Sequence, residues 1–162
     1  MNKSELKNIA EGLIETFDIA GQESIDLFSK GLEIKIKSDN SPVSNGDLAC
    51  NKLITNRILE LTPNIPIVSE ETVDLSIKNK NKIFWLIDPI DGTKEYIAGK
   101  DEYTLNAALV INKIPSIGLV GAPKKKQLFY SYGVGDSYLI ENNKKTKNDC
   151  SKKTPKNEIV AL

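Results

Sequence analysis

Asp88 and Asp91 stand three residues apart at the end of an apolar run, Trp85-Leu86-Ile87, and Gly92-Thr93 follows at once. Paired carboxylates suit hard divalent cations, which take oxygen ligands. The N–H groups of Gly92 and Thr93, opening a short helix, suit a phosphate oxygen. Residues 82–87 read as a buried strand, so Asp88 is expected at its end. Pro89 is expected to break that strand and hold the turn that brings Asp91 beside Asp88. Gly92 lets the backbone come close to a ligand. Asp-Pro-x-Asp-Gly is also good turn chemistry, and taken alone the stretch reads as a plain turn.

Two more segments change that balance. Pro66-Ile67-Val68-Ser69-Glu70-Glu71 is a short apolar run ending in paired acids. Asp39-Asn40-Ser41-Pro42-Val43-Ser44-Asn45-Gly46-Asp47 is a turn leading into a helix. In this order and spacing the three segments resemble the inositol monophosphatase superfamily. Lys94-Glu95-Tyr96 after Asp-Gly-Thr is most similar to its CysQ branch, the 3′(2′),5′-bisphosphate nucleotidases, where Lys-Glu-Phe is usual. Tyr96 departs from that Phe, and Gly46 stands where Ala is common.

The resemblance implies a set of roles. Glu70 is a ligand of a first metal and touches the attacking water; read by itself it is one of two exposed acids in a loop. Asp88 bridges two metals, Asp91 binds the second, and Ile90 gives its carbonyl to the first. Asp91, Gly92 and Thr93 hold the substrate phosphate. Asp47 accepts a hydrogen bond from Thr93, whose hydroxyl orients the water. Ser44-x-x-Asp47 is also a capping-box variant, so Asp47 caps its helix on the other reading, and both roles can coexist. Glu71 has no implied duty and is expected to be solvated. Lys94 reads equally as a phosphate contact or a surface residue.

The cofactor implied is Mg²⁺, two or more ions, with Mn²⁺ as a substitute. The activity implied is phosphomonoester hydrolysis by a metal-activated water, adenosine 3′,5′-bisphosphate giving AMP and phosphate, which belongs to sulfur metabolism. Two alternatives stand beside it: an inositol or sugar phosphate phosphatase, and a non-catalytic fragment. Residues 1–162 correspond to the N-terminal metal-binding domain of the family. The C-terminal α/β domain is expected to be absent, so that half or a homo-oligomer partner is the partner implied beside the small nucleotide substrate.

Composition narrows the class further. The chain of 162 residues has no histidine, 22 basic and 22 acidic residues, and 40% hydrophobic residues. Without histidine, a Ser-His-Asp triad and the common zinc sites are excluded, and any metal must be held by oxygen. Balanced charge gives no field for a nucleic acid polymer. No apolar run has membrane-spanning length, and a signal peptide is not expected. Cys50 and Cys150 do not make a disulfide framework, and Cys50 is expected to face a core. A cytoplasmic setting fits best, with peripheral association with the inner membrane left open.

The elements that must position these residues are read from periodicity. A helix capped by Asn2 and Glu5 is expected to run to about residue 30, with Gly31 as its stop. Leu32, Ile34 and Ile36 alternate with charged residues as a half-buried strand, and 39–44 is a loop. A second helix covers 45–61, its apolar side formed by Leu48, Leu53, Ile54, Ile58 and Leu61, and ends at Thr62-Pro63. Strands follow at 65–69, 83–87, 104–111 and 114–120, the last two joined by Asn112-Lys113. Another pair is expected at 127–132 and 137–140. Residues 72–82 and 142–156 read as polar loops, and 158–162 as the start of a strand. The fold class is α+β: two N-terminal helices packed on a largely antiparallel sheet, the N-terminal half of a sugar-phosphatase αβαβα sandwich.

Overall fold

The computed structural model describes residues 1–72 and 81–148. Three helices precede most of the sheet: α1 (Lys3–Gly12), α2 (Ile14–Lys30) and α3 (Asn45–Leu61). Asn2 and Glu5 form the expected reciprocal cap on α1, and Gly31 ends α2 at φ 99°. The long first helix is, however, two helices. Gly12, poor in a helix interior, is followed by Leu13, whose N–H bonds back to Ala10 at 3.2 Å instead of continuing the α pattern. The break seats Leu13 fully in the core.

Strands β1 (Ile34–Ile36) and β2 (Pro42–Ser44) pair as a separate two-stranded ribbon. Here two expectations fail. Part of the 39–44 loop is strand, and β1 is not half-buried: Ile34 and Ile36 are both exposed. The alternation marked a strand, but the ribbon stands outside the main sheet. Leu48 of α3 also faces solvent, whereas Ile54 and Ile58 are buried.

Among the described residues the main sheet has seven strands in sequence order: β3 (Ile67–Ser69), β4 (Ile83–Asp91), β5 (Thr104–Ile111), β6 (Ile114–Ala122), β7 (Gln127–Tyr132), β8 (Ser137–Glu141) and β9 (Lys144–Lys147). Among the described residues only the β3–β4 pair is parallel. The β5–β6 hairpin turns through Asn112 and Lys113, both at positive φ, the signature of a primed two-residue turn. β9 is a correction to the expected loop: Lys144–Lys147 pairs with β8 as the outermost strand among the described residues, and all of its residues are exposed. The strand expected at 158–162 and Cys150 lie outside the described residues.

Pairing is also what carries β4 through Pro89. The strand is not broken there. Its register with β5 shifts between Asp88 and Asp91, so the proline, which has no N–H, sits in a bulge where the ladder skips.

Alternation along β4 to β7 sends Trp85, Ile87, Leu105, Leu109, Ile117, Leu119 and Tyr130 toward the helices, where they meet Leu13, Phe17, Ile54 and Ile58. Trp85 Nε1 donates to Thr62 Oγ1 at 3.0 Å, and Thr62 in turn donates to Ile58 O, tying the end of α3 to β4. Cys50 lies in this core and donates to Ala20 O; burial pushes its thiol up to about 12, which makes it unreactive. The opposite face carries Leu86, Asp88, Asn106, Ala108, Val120 and Phe129. Leu86, Val120 and Phe129 are exposed there.

A short helix, α4 (Thr93–Ile97), ties this frame to α2 and α3. Tyr96 is buried and its hydroxyl donates to Ser24 O at 2.6 Å. A Cβ on Gly46 would come within 2.5 Å of that hydroxyl. Gly46 and Tyr96 thus form one pair: the tyrosine takes the room that a side chain at Gly46 would need. Gly46→Ala alone should cost about 1–3 kcal/mol through overpacking. Adding Tyr96→Phe, which frees the ring from Ser24, should recover much of that loss. Denaturant midpoints of the two single variants and the double variant check this, and additive losses would refute it.

Candidate functional site

The parallel pairing of β3 with β4 sets Ser69 opposite Ile87, and Glu70 N–H donates to Ile87 O at 3.0 Å. Glu70 therefore follows β3 beside Asp88. Asn106 of β5 is directly opposite Asp88 on the other side. Glu70 just past β3, Asp88 of β4 and Asn106 of β5 thus share one row, and Asp91 lies just beyond the bulge. Ser69 is fixed from below, donating to Asn51 Oδ1 of α3 at 2.6 Å.

Asp88 has one buried carboxylate oxygen, Oδ1, with no hydrogen-bond partner among the described residues. Burial, then the negative charge of Glu70 and Asp91, pushes its pKa up to about 7. Asp91 is exposed, and its Oδ2 accepts a hydrogen bond from Asn106 Nδ2 at 3.2 Å. Asn106 Oδ1 is itself buried and unpaired.

Thr93 opens α4 behind Gly92, which sits at φ 91°. A Cβ on Gly92 would meet Glu102 O at 2.9 Å, so both the backbone twist and the space require glycine. The Thr93 hydroxyl lies 3.0 Å from Asp47 Oδ1 and 3.1 Å from the Ile90 carbonyl. Asp47 is 1% exposed. Its other oxygen, Oδ2, accepts from Ser44 N–H at 2.8 Å and from Ser44 Oγ, closing the capping box of α3. Asp47 therefore does both jobs open to it geometrically: it caps α3 with Oδ2 and meets Thr93 with Oδ1.

Two residues of the site lay outside the sequence reading. Lys37 Nζ sits 3.2 Å from Glu70 Oε1 and 2.9 Å from Glu71 Oε1. Burial disfavours its charge, but hydrogen bonds to Glu71 and Glu70 outweigh it and hold its pKa above the ordinary value. Glu71 is not solvated as expected: its side chain is 4% exposed, and burial, partly offset by Lys37, raises its pKa. Asn106 is the other. A single amide inside the apolar strand 104–111 was the signal for it, though only the register with β4 shows what it faces. Lys94 is exposed.

Among the described residues, no three Asp, Glu or Cys side chains are gathered tightly enough to close on a metal as they stand. The donor set nevertheless fits a hard divalent cation. Its groups are all oxygens, and Asp88 Oδ1 and Asn106 Oδ1 are buried acceptors that nothing satisfies. A cleft of about 660 Å³ between α2 and β6–β8, lined by Phe17, Ile25, Leu128 and Ile140 among others, shares none of these residues.

With this geometry, the sequence comparisons are decisive for class. The chain belongs to the inositol monophosphatase family, which it matches over residues 5–162. It is similar to the 3′(2′),5′-bisphosphate nucleotidase CysQ of Haemophilus influenzae, 31% identical over 134 residues, covering 80% of this chain and 50% of that protein. Among solved structures, it resembles CysQ from Bacteroides thetaiotaomicron, with a TM-score of 0.62 and 28% identity over 82% of this chain and 49% of that one. An IMPase/NADP phosphatase solved with Mg²⁺ and phosphate has the same fold, with a TM-score of 0.71 at 18% identity, over 83% of this chain and 51% of that one. The chain spans about half the length of the curated relatives it matches. Among the described residues no helix is long and apolar enough to cross a membrane.

Proposed function

We propose that this chain carries the metal- and phosphate-binding half of a phosphomonoesterase acting on 3′(2′),5′-bisphosphate nucleotides, with adenosine 3′,5′-bisphosphate giving AMP and phosphate. The observation that carries the reading is the Thr93–Asp47 contact at 3.0 Å, next to a buried Asp88 oxygen that lacks a partner. The CysQ relatives supply the substrate class. Two or more Mg²⁺ ions, or Mn²⁺ in their place, held by Glu70, Asp88, the Ile90 carbonyl and Asp91, would supply charge against the phosphate and acidify a water.

The chain's own residues do the rest. Asp47 fixes the direction of the Thr93 hydroxyl, so that the oxygen keeps a lone pair for a proton of the attacking water. The N–H groups of Gly92 and Thr93 meet a phosphate oxygen at the opening of α4. Lys37 holds Glu70 and Glu71 in place while no ion is bound. Contacts to the adenosine are assigned to a second half of the enzyme. The apolar sheet face bearing Leu86, Val120 and Phe129 supports a covering partner, either that half or a second copy of the chain.

Phosphate release tests the reading. Residues 1–162 joined to the C-terminal half of the H. influenzae relative should turn over adenosine 3′,5′-bisphosphate with Mg²⁺ on the order of 1 per second or more. Faster turnover of inositol 1-phosphate would instead favour the inositol phosphatase reading. No release from either substrate by a folded chimera would refute the enzyme reading.

A further inference from the structure

The unpaired oxygen of Asn106 is the feature the activity above does not use. Its amide nitrogen is committed to Asp91 Oδ2 at 3.2 Å. The amide is planar, so anchoring Nδ2 on Asp91 turns Oδ1 away from it. The register places Asn106 directly opposite Asp88, where facing side chains stand roughly 5 Å apart at Cβ. Oδ1 of Asn106 and Oδ1 of Asp88 are both buried, and neither has a hydrogen-bond partner among the described residues.

Buried polar atoms are paired in more than about nine cases in ten. Once Asp88 is ionised, two unpaired acceptors on facing residues cannot satisfy each other, since neither then brings a hydrogen. A shared cation satisfies both at once. A bridging water would also do so, though it gives no charge to offset the carboxylates of Asp88 and Asp91. Carboxamide oxygens are ordinary ligands of hard divalent ions, and a neutral one adds coordination without further crowding of negative charge.

We propose that Asn106 Oδ1 is a neutral oxygen ligand of the divalent ion held by Asp88 and Asp91, with its Nδ2 holding Asp91 in position for the same ion. This rests on the metal-site reading above. It adds a β5 residue to a set that otherwise comes from the β3 end and the β4–α4 turn.

The test is a Mg²⁺ titration of the 162-residue chain, followed by calorimetry and by ¹³C resonances of side-chain carboxylates and carboxamides. The Asn106 ¹³Cγ resonance should move in step with the Asp88 and Asp91 carboxylates. Asn106→Leu should weaken Mg²⁺ at least about tenfold, the scale of one lost ligand of 1.4 kcal/mol. Asn106→Asp, which keeps an oxygen and the side-chain shape, should bind at least as tightly as the parent. Melting curves confirm that each variant is folded, and the parent's own ¹³C readout stands if Asn106→Leu is not. If Asp88 and Asp91 respond while Asn106 stays still, or if folded Asn106→Leu keeps the parent's affinity, the ligand role is overturned and the metal site remains. If no resonance moves in the parent, the metal-site reading fails and this inference with it.

Discussion

Asp88→Asn will raise the stability of the metal-free chain at pH 8 and abolish its stabilisation by Mg²⁺. Both effects come from one buried carboxylate. In the metal-free fold the Asp88 pKa is raised from 3.8 to about 7, through burial first and the charges of Glu70 and Asp91 next. The folded chain then binds the proton more tightly than the unfolded chain does. Stability contributed by this group is therefore lost as pH rises from about 4 to about 7, and the full penalty stands above that window. Asparagine carries no charge, so the penalty disappears. Asp88 is only half-buried, and solvent screening cuts the gain to about 1 kcal/mol, or roughly 3 °C for a chain of this size. Glu71, whose pKa is also raised by burial, leaves part of the slope in place.

With metal the order reverses. Mg²⁺ at about 100 times its dissociation constant stabilises the parent by about 2.7 kcal/mol, whereas the variant lacks the ligand that joins the site. For the parent, affinity rises with pH up to about 7, because the Asp88 proton must leave before the ion enters. Thermal melts of both proteins at pH 5 and pH 8, with chelator and with Mg²⁺, give all four values. A variant that gains as much from Mg²⁺ as the parent would remove Asp88 from the metal site.

That Asp88 closes an apolar run close to Asp91 was legible in the sequence, but its spatial neighbours were legible only in part. Asp88, Asp91, Gly92 and Thr93 lie within six residues, and the chemistry of a short segment shows in its residue types. The bounds of α3 were readable for a similar reason, since the Ser44–Asp47 cap and Thr62-Pro63 are local signals at its two ends. The break at Leu13 was hidden because Leu6, Ile9, Leu13 and Phe17 keep one apolar stripe through it. Lys37 reaches Glu70 across 33 positions, and Asn106 reaches Asp91 across 15. Asn106 is placed by strand pairing and Lys37 by the turn after β1, and no local pattern reports which of these distant segments become neighbours. The strand at Lys144–Lys147 was missed because a strand at the end of a sheet needs no buried residues; among the described residues it pairs only with β8, and lysine there reads as a solvated loop.

Within the catalytic apparatus proposed above, the direction of one hydrogen bond sets the second large effect. Asp47 is nearly fully buried and takes three hydrogen bonds on its two oxygens, from Ser44 N–H, Ser44 Oγ and Thr93 Oγ1. As a carboxylate it can only accept, so the Thr93 hydroxyl must donate to it or to the Ile90 carbonyl. Either choice leaves the oxygen lone pairs turned outward, ready to take a proton from water. Asp47→Asn breaks this logic while keeping the shape. The Oδ2 position already faces the Ser44 N–H donor, so the carboxamide oxygen stays there and the NH₂ falls at Oδ1. That NH₂ now donates to Thr93, which occupies one of its two lone pairs and turns the hydroxyl hydrogen to the Ile90 carbonyl, so the oxygen is no longer aimed at the water. In the chimera described above, Asp47→Asn and Thr93→Ala should each lower kcat by about 10² to 10⁴, the usual worth of a positioned proton acceptor. Neither should change the Mg²⁺ dissociation constant more than about twofold, because neither residue is a ligand. Thr93→Ser keeps the hydroxyl and should keep most of the rate. The double variant Asp47→Asn with Thr93→Ala should be no slower than either single one, since the two act as a unit. Rate losses that multiply in the double variant, or a Thr93→Ala enzyme of normal turnover, would show that the water is oriented elsewhere and leave Asp47 as the cap of α3.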